Sequence, residues 1–365
     1  MVSFCAQPLN QTLCVSCMNR IPASPPYIAP VVTMEKRPLF SVMIPAYNCA
    51  AFLEETIRSV LVQDMGEAFM QIEVVDDCST DADVEELVKR IGRGRVGFYR
   101  QAKNVGSLRN FETCINRAQG IYVHLLHGDD KVKLGFYAKM QALFERFPAA
   151  VAAFCRYVFI NQSSEETHLP EQEANSDSML PNWLLKIAER QRTQYAATIV
   201  KREVYEKLGS FYGMTYGEDW EMWVRIAKHY PVAYTPQVLA QYREHKASIS
   251  KTKSAQGKIT QDFLTVIHLI GELLPNEHRD RVIRTAKKNC ALFNMGTAFR
   301  IWDNTRDRNL VLPQVKQAFA LSKQPAVCYS AFKLFMKMAL FFSRPTPGQN
   351  STRIPLAEHQ KQLLK

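Results

Sequence analysis

Short apolar runs alternate with amphipathic stretches through the first half of the chain, the pattern of a strand–helix–strand fold. Phe40–Ile44 predicts a buried strand, with Pro45 as its stop. Tyr47 and Asn48 lead into a helix whose inner face is Leu53, Ile57, Val60 and Leu61. Gln71–Val75 predicts a second strand, and Ser79, Thr80 or Asp81 supplies the cap of a helix faced by Val84, Leu87, Val88 and Ile91. Val96–Arg100 reads as a third strand. Asn104 and Gly106 form a turn before a helix through Leu108, Phe111, Ile115 and Ala118, with Gly120 as its stop. Ile121–Leu126 is the fourth strand. This alternation predicts right-handed crossovers and a mostly parallel sheet.

Val151–Ile160 predicts a further strand, and the polar run Asn161–Ser178 a loop or mobile insert over the crevice. A helix near Trp183–Arg190, a strand at Ala196–Val200 and a short helix at Arg202–Leu208, closed by Gly209, follow. Glu218–His229 is amphipathic, and Val232–Tyr242 is extended although it contains Pro236. From about Ala255 the pattern is helical: Phe263–Leu274, Arg279–Trp302, Leu312–Leu321 and Ala326–Phe342. The division expected is an extension over 1–37, an α/β domain over 38–250 and a helical region over 251–365.

At 365 residues, with 47% hydrophobic and 22% charged positions, the chain can bury a substantial core. Its net charge of +11 suits polyphosphate or an anionic membrane surface. Nucleic acid ranks last as a partner, because no zinc-finger, helix-turn-helix or RNA-binding signature accompanies the charge. The nine cysteines include Cys49, Cys78, Cys114 and Cys155 in or beside core elements, the usage of a reduced compartment. Cys14 and Cys17 have metal-like spacing but no second pair to complete a tetrahedral site. No stretch is long and apolar enough to span a bilayer. Residues 1–33 lack periodicity, so they are expected to be disordered, even an over-extended translation start before Met34. The last helix is apolar nearly all round with Lys333 and Lys337 interspersed; it suits either a membrane interface or packing on the main domain.

Three acidic clusters carry the chemistry: Asp76-Asp77 and Asp129-Asp130 after strands, and Glu218-Asp219 opening a helix. In an open parallel sheet, residues just past the strand ends face a common crevice. Carboxylates gathered there repel unless a cation or polar ligand lies between them. Asp76 and Asp77 suit a base or ribose contact, the plainer alternative being a helix cap. Asp129-Asp130 suits Mg²⁺ or Mn²⁺ with phosphate oxygens. Glu218-Asp219 suits either the helix dipole or a general base. Arg243 could contact a diphosphate and His245 could contact it or ligate the metal, while Arg109 and Asn110 could reach a base or phosphate.

The motifs Ser-Val-Met-Ile-Pro-Ala-Tyr-Asn at 41–48, Val-Val-Asp-Asp-Cys-Ser-Thr-Asp at 74–81 and Asn-Val-Gly-Ser-Leu-Arg-Asn at 104–110 closely resemble family 2 glycosyltransferases. His-Gly-Asp-Asp at 127–130 and Gly-Glu-Asp-Trp at 217–220 do so too. The resemblance covers about residues 39–250 and implies a GT-A fold: a Rossmann-like, mostly parallel sheet flanked by helices, here with a C-terminal helical region. It implies an inverting enzyme that uses nucleotide-diphosphate sugars with Mn²⁺ or Mg²⁺. Pro45, Tyr47, Asp76, Asp77 and Arg109 would line the nucleotide pocket. Asp129 would face ribose or sugar, Asp130 would bind the metal, and Asp219 would be the base.

Two positions depart from the family pattern. His127 stands where many members are acidic. Cys78 replaces the usual glycine, implying that this backbone position needs no positive φ. The Gln-x-x-Arg-Trp motif of processive members is missing, so single-sugar addition is expected. The reading is a cytoplasmic enzyme that adds one sugar from a UDP-sugar to an envelope or lipid-linked glycan. If its last helix lies in a membrane interface rather than packing on the main domain, the enzyme is peripheral on the inner face of the plasma membrane. The competing readings are a catalytically silent glycan-binding or assembly subunit of the same fold, and a nucleotidyltransferase of related topology.

Overall fold

A computed structural model describes residues 19–31, 36–245 and 259–340. Cys14 and Cys17, the predicted helix start near Ala255 and the end of the last helix beyond Leu340 lie outside the described residues.

The first half follows the hydrophobic pattern: β1 (Phe40–Ala46), α1 (Ala50–Leu61), β2 (Met70–Asp76), α2 (Val84–Gly92), β3 (Gly97–Arg100), α3 (Ser107–Arg117) and β4 (Tyr122–Leu125). These strands pair in parallel in the order β3-β2-β1-β4, with Ala46 beside Asp76 where β1 and β2 end. β5 (Lys131–Val132), α4 (Phe136–Arg146), β6 (Ala152–Ile160), β7 (Glu166–His168), β8 (Ser178–Met179) and α5 (Trp183–Glu189) follow. Then come β9 (Thr198–Lys201), α6 (Arg202–Leu208), α7 (Glu218–His229) and β10 (Val232–Arg243). The main sheet order is β3-β2-β1-β4-β9-β6-β10-β5; β9 runs antiparallel between β4 and β6, and β5 antiparallel to β10. The sheet is therefore mostly parallel with antiparallel insertions. Four C-terminal helices complete the chain: α8 (Ile259–Leu273), α9 (Asn276–Thr305), α10 (Arg308–Leu321) and α11 (Pro325–Leu340). Val266, Ile270, Ala291 and Trp302 from α8 and α9 share one apolar core with Trp220 and Trp223 of α7 and with the α3 face of the sheet. Among the described residues no helix is long and apolar enough to cross a membrane.

Several local expectations need correction. β1 does not stop at Pro45: the proline lacks a donor, but its carbonyl accepts from Gly128 N, and the strand runs on to Ala46. The cap of α2 is Asp83, whose carboxylate accepts from Glu86 N; Asp81 instead accepts from Ala50 N at the start of α1. Gly120 stands beyond the end of α3. A side chain there would come within 2.6 Å of the β1 backbone, so close approach is what requires the glycine. The 161–178 run is not a free loop: β7 pairs with β6, β8 pairs with β10, and Glu173 meets Arg192 at 3.1 Å.

The expected disorder of residues 1–33 does not hold for 19–31. Ile28 is fully buried in the main core. Ser210 N donates to Pro26 O at 2.9 Å, Gly213 N to Pro22 O at 2.8 Å, and Arg202 Nη2 to Ala29 O at 3.0 Å. This strap has no periodicity because it forms neither helix nor strand, yet its backbone is paired with the body of the protein.

Candidate active site

The end of β2 is a braced frame. Asp76 is fully buried; its oxygens accept from Ser79 N at 3.2 Å and Ser79 Oγ at 2.5 Å, and pair with Arg100 at 3.0 Å. Asp77 accepts from Val105 N at 2.6 Å, Gly106 N at 2.9 Å and Asn104 Nδ2 at 3.0 Å. Burial pushes the Asp77 carboxyl up. Asn48 ties the β1 loop to this frame by accepting from Thr80 N at 2.8 Å. Cys78 has φ of 60°, so the expectation of an ordinary backbone there is overturned; the left-handed turn lets Ser79 fold back onto Asp76. Pro45 is buried within β1, while Tyr47 is half exposed just beyond it. Arg109 turns away to Glu112, at 2.6 Å, and to the Asn19 carbonyl of the strap, at 2.9 Å.

Beyond β4 a second cluster gathers His127, Asp129 and Asp130, with one ligand atom of each within 4.8 Å of the others. Asp130 Oδ1 accepts from Arg243 N at 2.8 Å. Asp130 Oδ2 and His127 Nε2 are buried without a hydrogen-bond partner. Burial and the neighbouring Asp129 hold the Asp130 carboxyl well above the usual range, and burial lowers the His127 imidazole toward its neutral form. Burial opposes ionisation of Asp129 as well, but His245 and His127 outweigh it and its pKa falls. Two orphaned, inward-facing donor atoms beside a carboxylate pair fit a divalent cation with mixed nitrogen and oxygen ligands.

Two expected ligands are placed differently. His245 was expected on the metal with Asp130; its Nε2 instead meets Asp129 Oδ2 at 2.9 Å, and its ring packs on Phe52. His127 joins the cluster in its place. Arg243 was expected to reach a diphosphate, yet its side chain is fully buried and already spoken for. Its guanidinium donates to Asp129 O at 2.7 Å, Asn161 O at 3.2 Å and Ser164 Oγ at 3.0 Å, and pairs with Glu55 at 3.0 Å. Burial raises Glu55, but Ser164, Lys131 and Arg243 outweigh it and hold the carboxyl at about 2.

The third cluster opens α7 behind Gly217, whose φ is 90°. Asp219 Oδ1 accepts from Trp220 N at 2.8 Å, and its Oδ2 accepts from Gln191 Nε2 in a short contact. Burial and the adjacent Glu218 push the Asp219 carboxyl well up. Tyr195 joins this turn to the second cluster: its hydroxyl donates to Glu218 Oε1 at 3.2 Å, and its ring lies 4.4 Å from that of His127. Phe111 also stacks on His127, with ring centroids 5.0 Å apart, and it touches Tyr195 at 5.4 Å. Sequence reasoning missed Gln191, in an irregular stretch, and Tyr195, which opens a single 3₁₀ turn at Tyr195–Ala197; no motif surrounds either.

A sheet with acidic turns past the ends of β2 and β4, and a third opening α7, defines a GT-A glycosyltransferase. Residues 41–182 match Glycosyl transferase family 2, so the chain carries a glycosyltransferase domain of that family. It is 28% identical over 232 residues to the putative teichuronic acid biosynthesis glycosyltransferase TuaG of Bacillus subtilis, covering 61% of this chain and 86% of TuaG. The fold is similar to S. aureus TarS in complex with UDP-GlcNAc, with a TM-score of 0.60 and 16% identity over 82% of this chain and 89% of that one. It is also similar to the mannosyltransferase PcManGT of Pyrobaculum calidifontis in complex with GDP-Man and Mn2+, with a TM-score of 0.50 and 18% identity over 87% and 90%.

Proposed function

We propose that the enzyme transfers one sugar, with inversion, from a UDP-sugar to a hydroxyl of an envelope or lipid-linked glycan. The observation that carries this reading is the buried Asp219, raised by desolvation and Glu218 and linked through Tyr195 to the His127-Asp129-Asp130 cluster. A carboxylate whose pKa is raised is, once ionised, a better proton acceptor than an exposed one.

In this reading the acceptor oxygen attacks the anomeric carbon, the bond from that carbon to the diphosphate oxygen breaks, and Asp219 takes the hydroxyl proton. A single in-line displacement inverts the anomeric centre. Gln191 and Trp220 N fix the Asp219 carboxylate, and Glu218 is held by Tyr195. Pro45, Tyr47 and the braced Asp76-Asp77 turn wall the base pocket. His127, Asp129 and Asp130 would hold Mn²⁺ or Mg²⁺, which supplies positive charge against the leaving diphosphate. The donor-bound TarS and PcManGT structures support the choice of a nucleotide sugar, and TuaG supports an envelope acceptor.

The test is nucleotide release and product formation from a panel of UDP-, GDP- and dTDP-sugars with Mn²⁺, the product's anomeric configuration being read by NMR. UDP-sugar turnover with an inverted linkage is expected. Retention of configuration, or transfer by Asp219→Asn near the wild-type rate, would overturn the mechanism.

A further inference from the structure

The C-terminal helix α11 is apolar on two sides. Val327, Ala331, Leu334 and Met338 face the core. Tyr329, Phe332, Phe335, Met336 and Leu340 form a second stripe at the same helical spacing, facing away from it. Phe332 is 60% exposed and Leu340 70%, so this stripe has no cover within the described chain. Large aromatic and aliphatic groups held in water at i, i+3, i+4 and i+7 mark an interaction face.

The charge around the stripe says what covers it. Between Arg308 and Glu358 the chain carries Arg308, Lys316, Lys323, Lys333, Lys337, Arg344 and Arg353, and no Asp or Glu stands among them. Lys337 is turned inward to Asp303, at 2.6 Å. Lys333 lies 4.4 Å from the Tyr329 ring centroid, a cation beside an interfacial aromatic. Lys316 and Lys323 are exposed. A second copy docked face to face on α11 would bring like charges together. An anionic surface with an apolar interior meets both halves of the pattern.

We infer that α11 is a membrane-surface helix that seats the enzyme on an anionic lipid bilayer, with the Tyr329–Leu340 stripe in the acyl boundary and the lysines among the headgroups. The inference does not depend on which donor or acceptor the enzyme uses.

The test is co-sedimentation of the full chain with vesicles of phosphatidylcholine, with and without phosphatidylglycerol. Binding is expected only to vesicles containing phosphatidylglycerol, and is expected to weaken as salt is added. The double variant Phe332→Ser, Phe335→Ser should lose about tenfold or more of the bound fraction. The double variant Lys323→Glu, Lys333→Glu should lose the preference for phosphatidylglycerol. Both should keep wild-type circular dichroism, since the altered side chains lie outside the core. Equal sedimentation of wild type and the serine variant would overturn the proposal. So would a wild-type dimer, seen by sedimentation velocity without vesicles, that the serine variant dissociates, because a second copy would then cover the stripe.

Discussion

Asp76-Asp77 and Asp129-Asp130 look alike in sequence, two adjacent aspartates after a strand, yet they do opposite things electrostatically. The first pair is saturated by the protein: three backbone amides, an asparagine side chain and a serine hydroxyl answer its oxygens, and Arg100 balances one charge. The second keeps one buried oxygen with no partner beside an imidazole nitrogen in the same condition. A satisfied carboxylate braces the fold, whereas an unsatisfied one carries a desolvation cost that a ligand can relieve. Residue identity alone does not separate the two roles; the hydrogen-bond accounting does.

The largest effects should fall on turnover. Asp219→Asn and Asp130→Ala should each lower kcat by about 10²–10⁴-fold in a nucleotide-release assay, with Asp130→Ala also weakening donor binding in Mn²⁺. Because Asp219 is raised, it holds its proton to a higher pH than an ordinary aspartate. The kcat of the wild type should therefore fall as pH is lowered, and fall from a higher pH than an unperturbed aspartate would give. A profile flat through the acid range would remove Asp219 from the base role.

Truncation to begin at Met34 comes next. Removing the strap uncovers the pocket left by Ile28 and the groups paired with Pro22, Pro26 and Ala29, so urea unfolding should show a loss of about 2–4 kcal/mol. Unchanged stability would mean the strap is dispensable.

The pair itself can be set against its counterpart by stability alone, without metal. Asp77→Ala leaves the amides of Val105 and Gly106 unanswered and should cost roughly 2–3 kcal/mol. Asp130→Asn should cost nothing and raise the midpoint at neutral pH. The sign follows from linkage: a carboxyl raised on folding contributes stability below its unfolded pKa and loses it as pH rises through the folded value. An amide at that position has no such loss. If both variants destabilise equally, the contrast between the pairs fails.

The smallest effect is at Cys78, whose left-handed backbone suits glycine better. Cys78→Gly should gain up to about 1 kcal/mol by thermal melting, with donor binding unchanged.

Much of the fold was legible because burial periodicity reports directly on strand and helix. β2, α6 and α7 fall close to the positions expected from their apolar spacing. α4 was overlooked although Phe136, Met140, Leu143 and Phe144 carry helical spacing. The antiparallel run of β9 could not be read, since strand direction is settled by neighbours distant in sequence rather than by side-chain alternation. At the site, the acidic turns announced themselves through motif order. What they touch did not: nothing local distinguishes an arginine such as Arg243, spent on backbone carbonyls, from one waiting for a phosphate. His127 stood out in the sequence only as a departure from the family pattern; its value as a ligand rests on Phe111 and Tyr195 packing on its ring while its Nε2 stays unanswered.

The bond from Arg243 N to Asp130 closes a separation of 113 residues and comes from the last residue of the last strand. Until that strand docks, Asp130 has neither its amide nor the guanidinium that fastens Asp129, Asn161 and Glu55 together. During synthesis, then, the acidic centre is among the last parts of the sheet to mature, however early β4 emerges. A fragment limited to the family-matching segment 41–182 ends before both this clasp and Asp219, so under the proposed mechanism it would lack the base as well as the brace of the acidic centre.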